Sequence, residues 1–185
     1  MRSVSIKPET FFVGACLLLT VPFRWLSAMV VAAIIHEISH TLALHICNVK
    51  IYGMEITASG VLLKTASMRR SEELICAVSG PVGSILLLLS YRHFPVLAFC
   101  AGLQGLFNLI PVYPFDGGRV LRCLSWNTKI IDRIELISCL LILLLGLSVS
   151  FLFHFGCFPV IFSVFLNAGV LSRKIPCKQS VLRVQ

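Results

Sequence analysis

At 185 residues the chain has the length of one domain, and its net charge is +8. Hydrophobic residues make up 57% of it and charged ones 13%, where soluble domains carry about 25% charged residues. With a mean hydropathy of +0.93, this argues against a water-soluble protein and for a single membrane-embedded domain over residues 1–185, with no separate soluble regulatory domain.

The basic excess does not point to nucleic acid. Lysines and arginines are scattered over short connections between apolar runs, not gathered into one stripe, so no nucleic-acid partner is expected and the lipid bilayer is. The eight cysteines form no C-x-x-C pair, and most lie inside apolar runs, as small hydrophobes kept reduced would.

In chain order, residues 1–22 resemble a signal peptide, with basic residues before an apolar stretch. The apolar run resumes after Arg24, and no small-residue cleavage site precedes it, so a retained span is expected. Thr10 to Cys47 as one helix would be about 57 Å long, against a bilayer core of about 30 Å. Pro22 and Arg24 divide it into a first span near 10–23 and a second near 25–47. Residues 51–56 and 61–64 are short, partly alternating segments around Ala58-Ser59-Gly60, which predicts a β-hairpin or re-entrant loop. A third span is expected at 72–91, with Gly80-Pro81 near its middle. The fourth starts near Phe94 and breaks at Pro111 and Pro114. A fifth covers 131–154, including the uncharged run Leu136 to Phe153, and a sixth covers 156–172. The expected fold class is therefore an all-α integral membrane protein of about six transmembrane helices, with a short re-entrant hairpin or loop between the second and third.

Six spans would place fourteen of the sixteen basic residues on one side, leaving Arg24 and Arg92 on the other. By the positive-inside rule both termini are then cytoplasmic, in what is expected to be a bacterial cytoplasmic membrane.

The second span contains His36-Glu37-Ile38-Ser39-His40. Helical residues four apart share a face, with Cβ atoms about 5–6 Å apart, so the two imidazoles can reach one Zn²⁺. Glu37 stands beside them, placed to touch a water without ligating the metal, which is the H-E-x-x-H arrangement of zinc hydrolases. From this composition the motif is expected by chance roughly 0.004 times. A charged group at the bilayer centre costs about 2.5–3.5 kcal/mol, so three ionisable residues in one span need a compensating role. The second motif is Asn108-Leu109-Ile110-Pro111-Val112-Tyr113-Pro114-Phe115-Asp116-Gly117-Gly118. Its prolines end the fourth helix, and its glycines are read as freeing the backbone to turn, so Asp116 is presented at a helix break. A hydrolytic zinc site has three protein ligands and one open position, and Asp116 is the candidate third ligand. Taken alone, Pro-Phe-Asp-Gly-Gly is an ordinary Asx turn.

H-E-x-x-H in one membrane helix, followed by N-x-x-P-x-x-P-x-D-G-G after a later one, resembles the site-2 protease family of zinc intramembrane metalloproteases. Order and compactness are most similar to the bacterial branch typified by stage IV sporulation protein FB. The resemblance covers roughly Phe11 to Cys123, and Ser79-Gly80-Pro81 resembles the family's small-Gly-Pro motif. It implies one Zn²⁺ per chain on His36, His40 and Asp116, Glu37 as the catalytic base, and Asn108 engaging substrate. It further implies a membrane-associated or single-span protein substrate cut near the cytoplasmic side, and a regulatory or inhibitory membrane protein as partner. The chain departs from the family in showing no nucleotide-sensing domain and no PDZ-like insertion. It also has Ala58-Ser59-Gly60 where a Pro-Phe-Gly-Gly pattern would stand.

Other histidines are less telling. His45 lies five positions from His40, about 140° round the helix, and faces away. His93 reads as an interfacial loop residue and His154 as the end of a span. Two other classes of function use the same features. A silent module that captures membrane helices has no need of Glu37, and a metal transporter predicts ligands on several spans and a repeat, which the sequence lacks.

Overall fold

A computed structural model describes residues 3–57, 60–113, 115–125 and 127–153. The elements in order are β1 Ser3–Ile6, α1 Pro8–Thr20, α2 Phe23–Ile46, β2 Ile51–Thr57, β3 Gly60–Thr65, α3 Arg70–Leu88, α4 Pro95–Asn108, α5 Asp116–Leu124 and α6 Thr128–Phe153. The chain divides into two units, residues 1–126 and 127–185. In the second, α6 spans most of the expected fifth span; the expected sixth span and His154 lie outside the described residues.

Proline sets the boundaries in the first unit. It occupies the first helical turn of α1 and α4, where a missing N–H costs nothing, and Pro22 stands immediately before α2. The far end of α2 closes through Asn48, whose φ of 55° is left-handed; its N–H donates to the His45 carbonyl and that of Val49 to the Leu44 carbonyl. At the start of α3 the Glu72 carboxylate accepts the Arg69 backbone N–H at 2.8 Å.

Polarity is inverted relative to a soluble bundle. On α2 the buried positions are Ala32, His36, His40, Ala43 and Leu44, while Ile34, Ile38 and Leu42 are exposed. On α3 the buried positions are Cys76, Ala77, Gly80, Pro81, Gly83 and Ser84, with Ile75, Val82, Ile85 and Leu86 exposed. Lipid is as apolar as leucine, so leucine gains nothing by turning inward, and small residues occupy the interface because they let backbones approach. Thus Ala32 packs on Cys100 and Ala101 of α4. Among the described residues, α2 and α3 have the length and apolar composition to cross a membrane.

The all-α expectation is modified by a three-stranded sheet in the order β1-β2-β3. The predicted hairpin is present as antiparallel β2 and β3, with Glu55 opposite Leu62 and a register irregularity between Ile51 and Gly53. In addition β1 pairs in parallel with β2, Val4 opposite Met54. Four residues near the chain start carry too little pattern to announce a strand, and β1 exists through a partner about fifty residues away. Glu55 on β2 lies 3.2 Å from Lys64 and 3.6 Å from Lys7. The Lys64 hydrogen bond, with its charge and that of Lys7, holds the Glu55 carboxyl below the usual carboxylate range.

Because β1 lies against β2, the start of α1 and the end of α2 are at one end of the unit. The N-terminus of α3 is tied to the end of α5 there, through Arg70 Nη2 donating to the Arg122 carbonyl at 3.1 Å and the Ser125 carbonyl at 2.9 Å. Lys7, Lys50, Lys64, Arg69, Arg70, Arg119 and Arg122 therefore share that end, while Arg24, in the first turn of α2, and Arg92, in the connection between α3 and α4, belong to the other. At that opposite end Trp25 of α2 meets Phe99 of α4 edge to face, ring centroids 5.8 Å apart. Reporters inserted at Ser67 and at Arg92 should accordingly report opposite sides of a membrane, and the same side for both would refute this arrangement.

Candidate metal centre

The site forms where four helices of the first unit approach. His36 and His40 come from one face of α2, and Asp116 is the first residue of α5. Depth is matched by helix length. At about 1.5 Å per residue, α4 rises about 20 Å from Pro95 to Asn108, as α2 does from Phe23 to His36. The Trp25–Phe99 contact starts the two helices at one level, so Asn108 and Asp116 arrive beside the histidines.

All three residues are buried, and their ligand atoms converge. His36 Nε2 lies 3.1 Å from Asp116 Oδ2 and 3.2 Å from His40 Nε2, and His40 Nε2 lies 3.2 Å from Asp116 Oδ2. Tetrahedral ligands at about 2.0–2.1 Å from zinc stand roughly 3.3 Å apart, so the triangle fits three of the four ligand positions of such an ion.

The donor chemistry agrees. His40 Nδ1 is 2.7 Å from the Cys76 carbonyl, which can only accept; the proton is therefore on Nδ1, and Nε2 offers its lone pair to the triangle. His36 Nδ1 is fixed 2.9 Å from the Ser84 hydroxyl. Lone pairs and a carboxylate aimed at one point repel each other unless a cation or proton stands between them. These three residues can hold a metal ion.

Backbone fit explains the glycines. A Cβ on Gly80 would overlap the His40 ring and come 2.7 Å from His36 Nε2, so α3 can lie this close to the two ligand nitrogens only without a side chain there. Gly117 and Gly118 have a similar role. A Cβ on Gly117 would strike the Leu109 and Ile110 carbonyls, and one on Gly118 the Val112–Tyr113 peptide. The expectation that they free the backbone to turn needs correcting: both lie within the first turn of α5, and their value is contact, since the loop after α4 lies flat against that turn. Asp116 accordingly stands at a helix start, as expected of a residue at a break.

Glu37 follows His36, is half-buried, and lies within electrostatic reach of His36, His40, Asp116 and Arg119. Asn108, the last residue of α4, brings its side-chain amide 3.3 Å from His36 Nε2. His45 is exposed at the far end of α2, and His93 is exposed in the turn before α4, neither of them in the cluster. The sequence reading overlooked Ser84, the Cys76 carbonyl and Arg119. Ser84 stands four residues after Gly80 on the same face of an apolar helix, and Arg119 three after Asp116, so both carried a spacing signal.

No family model matches the chain. In an alignment 138 positions long that covers 63% of its length, it is 30% identical to zinc metalloprotease MJ0392 of Methanocaldococcus jannaschii, and it spans 41% of that relative. Its structure is similar to a site-2 protease from Methanocaldococcus jannaschii, with a TM-score of 0.62 at 20% identity, covering 93% of this chain and 91% of that one. The chain shares that protease's fold.

Loss of one ligand should be visible as loss of metal. Purified Asp116→Ala should retain little zinc, whereas Asn108→Ala should keep it, as metal analysis of the two proteins will show. Gly80→Ala should behave like Asp116→Ala, because the methyl group displaces the His40 ring. Full zinc content in Asp116→Ala would remove Asp116 from the ligand set.

Proposed function

We propose that the chain is a zinc-dependent intramembrane endopeptidase of the site-2 protease family, cutting a membrane-associated or single-span protein near the cytoplasmic side. The observation that carries this is the 3.1–3.2 Å triangle of His36, His40 and Asp116 ligand atoms with the Glu37 carboxylate beside it. Family likeness and shared fold support it. The assignment to the sporulation-type branch rests on the order and compactness of the motifs.

Held by His36, His40 and Asp116, a zinc ion would supply Lewis acidity, lowering the pKa of water toward neutrality and polarising a peptide carbonyl. Glu37 takes the proton from the attacking water and passes it to the departing amine. Asn108, adjacent to the ligand face of His36, holds the substrate backbone by its amide. A helical substrate hides its carbonyls, so it must enter extended. The outer edge of β3 is unpaired among the described residues, which suits it to add such a strand by backbone hydrogen bonds.

The end bearing the sheet and its seven cations is then cytoplasmic, with both termini on that side of a bacterial cytoplasmic membrane and six spans in all. The depth of the histidines, about 20 Å along α2 from Phe23, supports cleavage toward that face. A membrane protein that regulates or inhibits access completes the partners.

Glu37→Gln tests the reading directly. The amide preserves shape but accepts no proton, so this variant should bind zinc as the wild type does and lose cleavage of a membrane substrate by several orders of magnitude. Near wild-type turnover would rule out Glu37 as the base.

A further inference from the structure

Asp116 has two equivalent oxygens, and a carboxylate free to rotate can present either or both to a metal. Both on a zinc ion would occupy the fourth position, and water could then enter only as a fifth ligand. In this structure the two oxygens have different surroundings. Oδ2 faces both histidine nitrogens, whereas Oδ1 accepts a hydrogen bond from Arg119 Nη1 at 3.3 Å.

Arg119 is itself held in place. Its backbone N–H donates to the Phe115 carbonyl at 3.1 Å within the first turn of α5. Across the helix interface, Nη2 reaches Cys76 Sγ at 3.7 Å and Nε lies 4.0 Å from Glu73 Oε1, both on α3. One planar fork thus touches three groups on two helices, a geometry the single ammonium of lysine cannot reproduce. Nor does the cation simply oppose a dication nearby, because the Glu73 carboxylate offsets its charge.

Resting on the metal-site reading above, we infer that Arg119 is a positioning residue that confines Asp116 to one-oxygen ligation and so keeps the fourth coordination position open. It acts through Asp116 and need not touch substrate. Residues that orient a metal ligand typically contribute 10–100-fold in affinity.

Cobalt(II) reports the coordination number by its visible spectrum, strong when four-coordinate and several-fold weaker when five-coordinate, with no need for turnover. Arg119→Met keeps the packing of the stem and removes every donor; Arg119→Ala removes both. At saturating cobalt both variants should show the weakened five-coordinate bands, and chelator competition should show zinc held about 10–100-fold less tightly. Arg119→Lys should recover part of each change. If Arg119 merely pins α5 to α3, Arg119→Met will melt earlier yet keep the wild-type spectrum at saturation, which overturns the inference. A wild-type protein that takes up neither cobalt nor zinc would overturn the metal-site reading as well, an outcome distinct from unchanged variants.

Discussion

Holding two imidazole nitrogens and a carboxylate oxygen 3.1–3.2 Å apart inside an apolar bundle requires that each be restrained from behind. A carbonyl restrains His40, a hydroxyl restrains His36 and a guanidinium restrains Asp116. Two of these restraints, the Cys76 carbonyl and Ser84, lie on α3, which contributes no ligand. That helix works as a template, with Gly80 as the gap through which the rings are seated. Every buried side-chain nitrogen and oxygen among the described residues has a partner, as a low-dielectric interior demands.

The inverted polarity of the helices follows from the same need. With no water to drive leucines inward, the interior is free to be small and polar, so the line Cys76, Ala77, Gly80, Gly83 and Ser84 is available for close approach and for hydrogen bonding. A leucine-filled core would separate the helices too far for Ser84 of α3 to reach His36 of α2. Packing and chemistry draw on the same positions here, so the interface cannot be repacked with larger residues without dispersing the ligands.

Much of the site was legible from spacing. The interval between His36 and His40 is a helical period, and Asp116 stood out as an acid between a proline-rich break and two glycines. Breaks at Pro22 and ahead of Pro111 were equally readable, because proline acts locally. What escaped reading depends on contacts remote in sequence. β1 needs β2 to be a strand at all. α5 begins within what looked like a turn, because Asp-Gly-Gly has poor helix propensity; the helix is secured from outside by Arg70 at its far end and by the loop against its glycines. Gly117 and Gly118 were noticed for a freedom they do not use.

The parallel pairing of β1 with β2 also bears on assembly. The first strand leaves the ribosome before either α1 or α2 and finds its neighbour only after both helices have been made. Should one of those two helices cross a membrane without the other, Val4 and Met54 would stand on different sides of it and the ladder between them could not close. Closure of three short strands thus reads out, at the surface, whether the start of α1 and the end of α2 have come to the same side. An unclosed sheet would leave its backbone groups bare to whatever quality control surveys the membrane face.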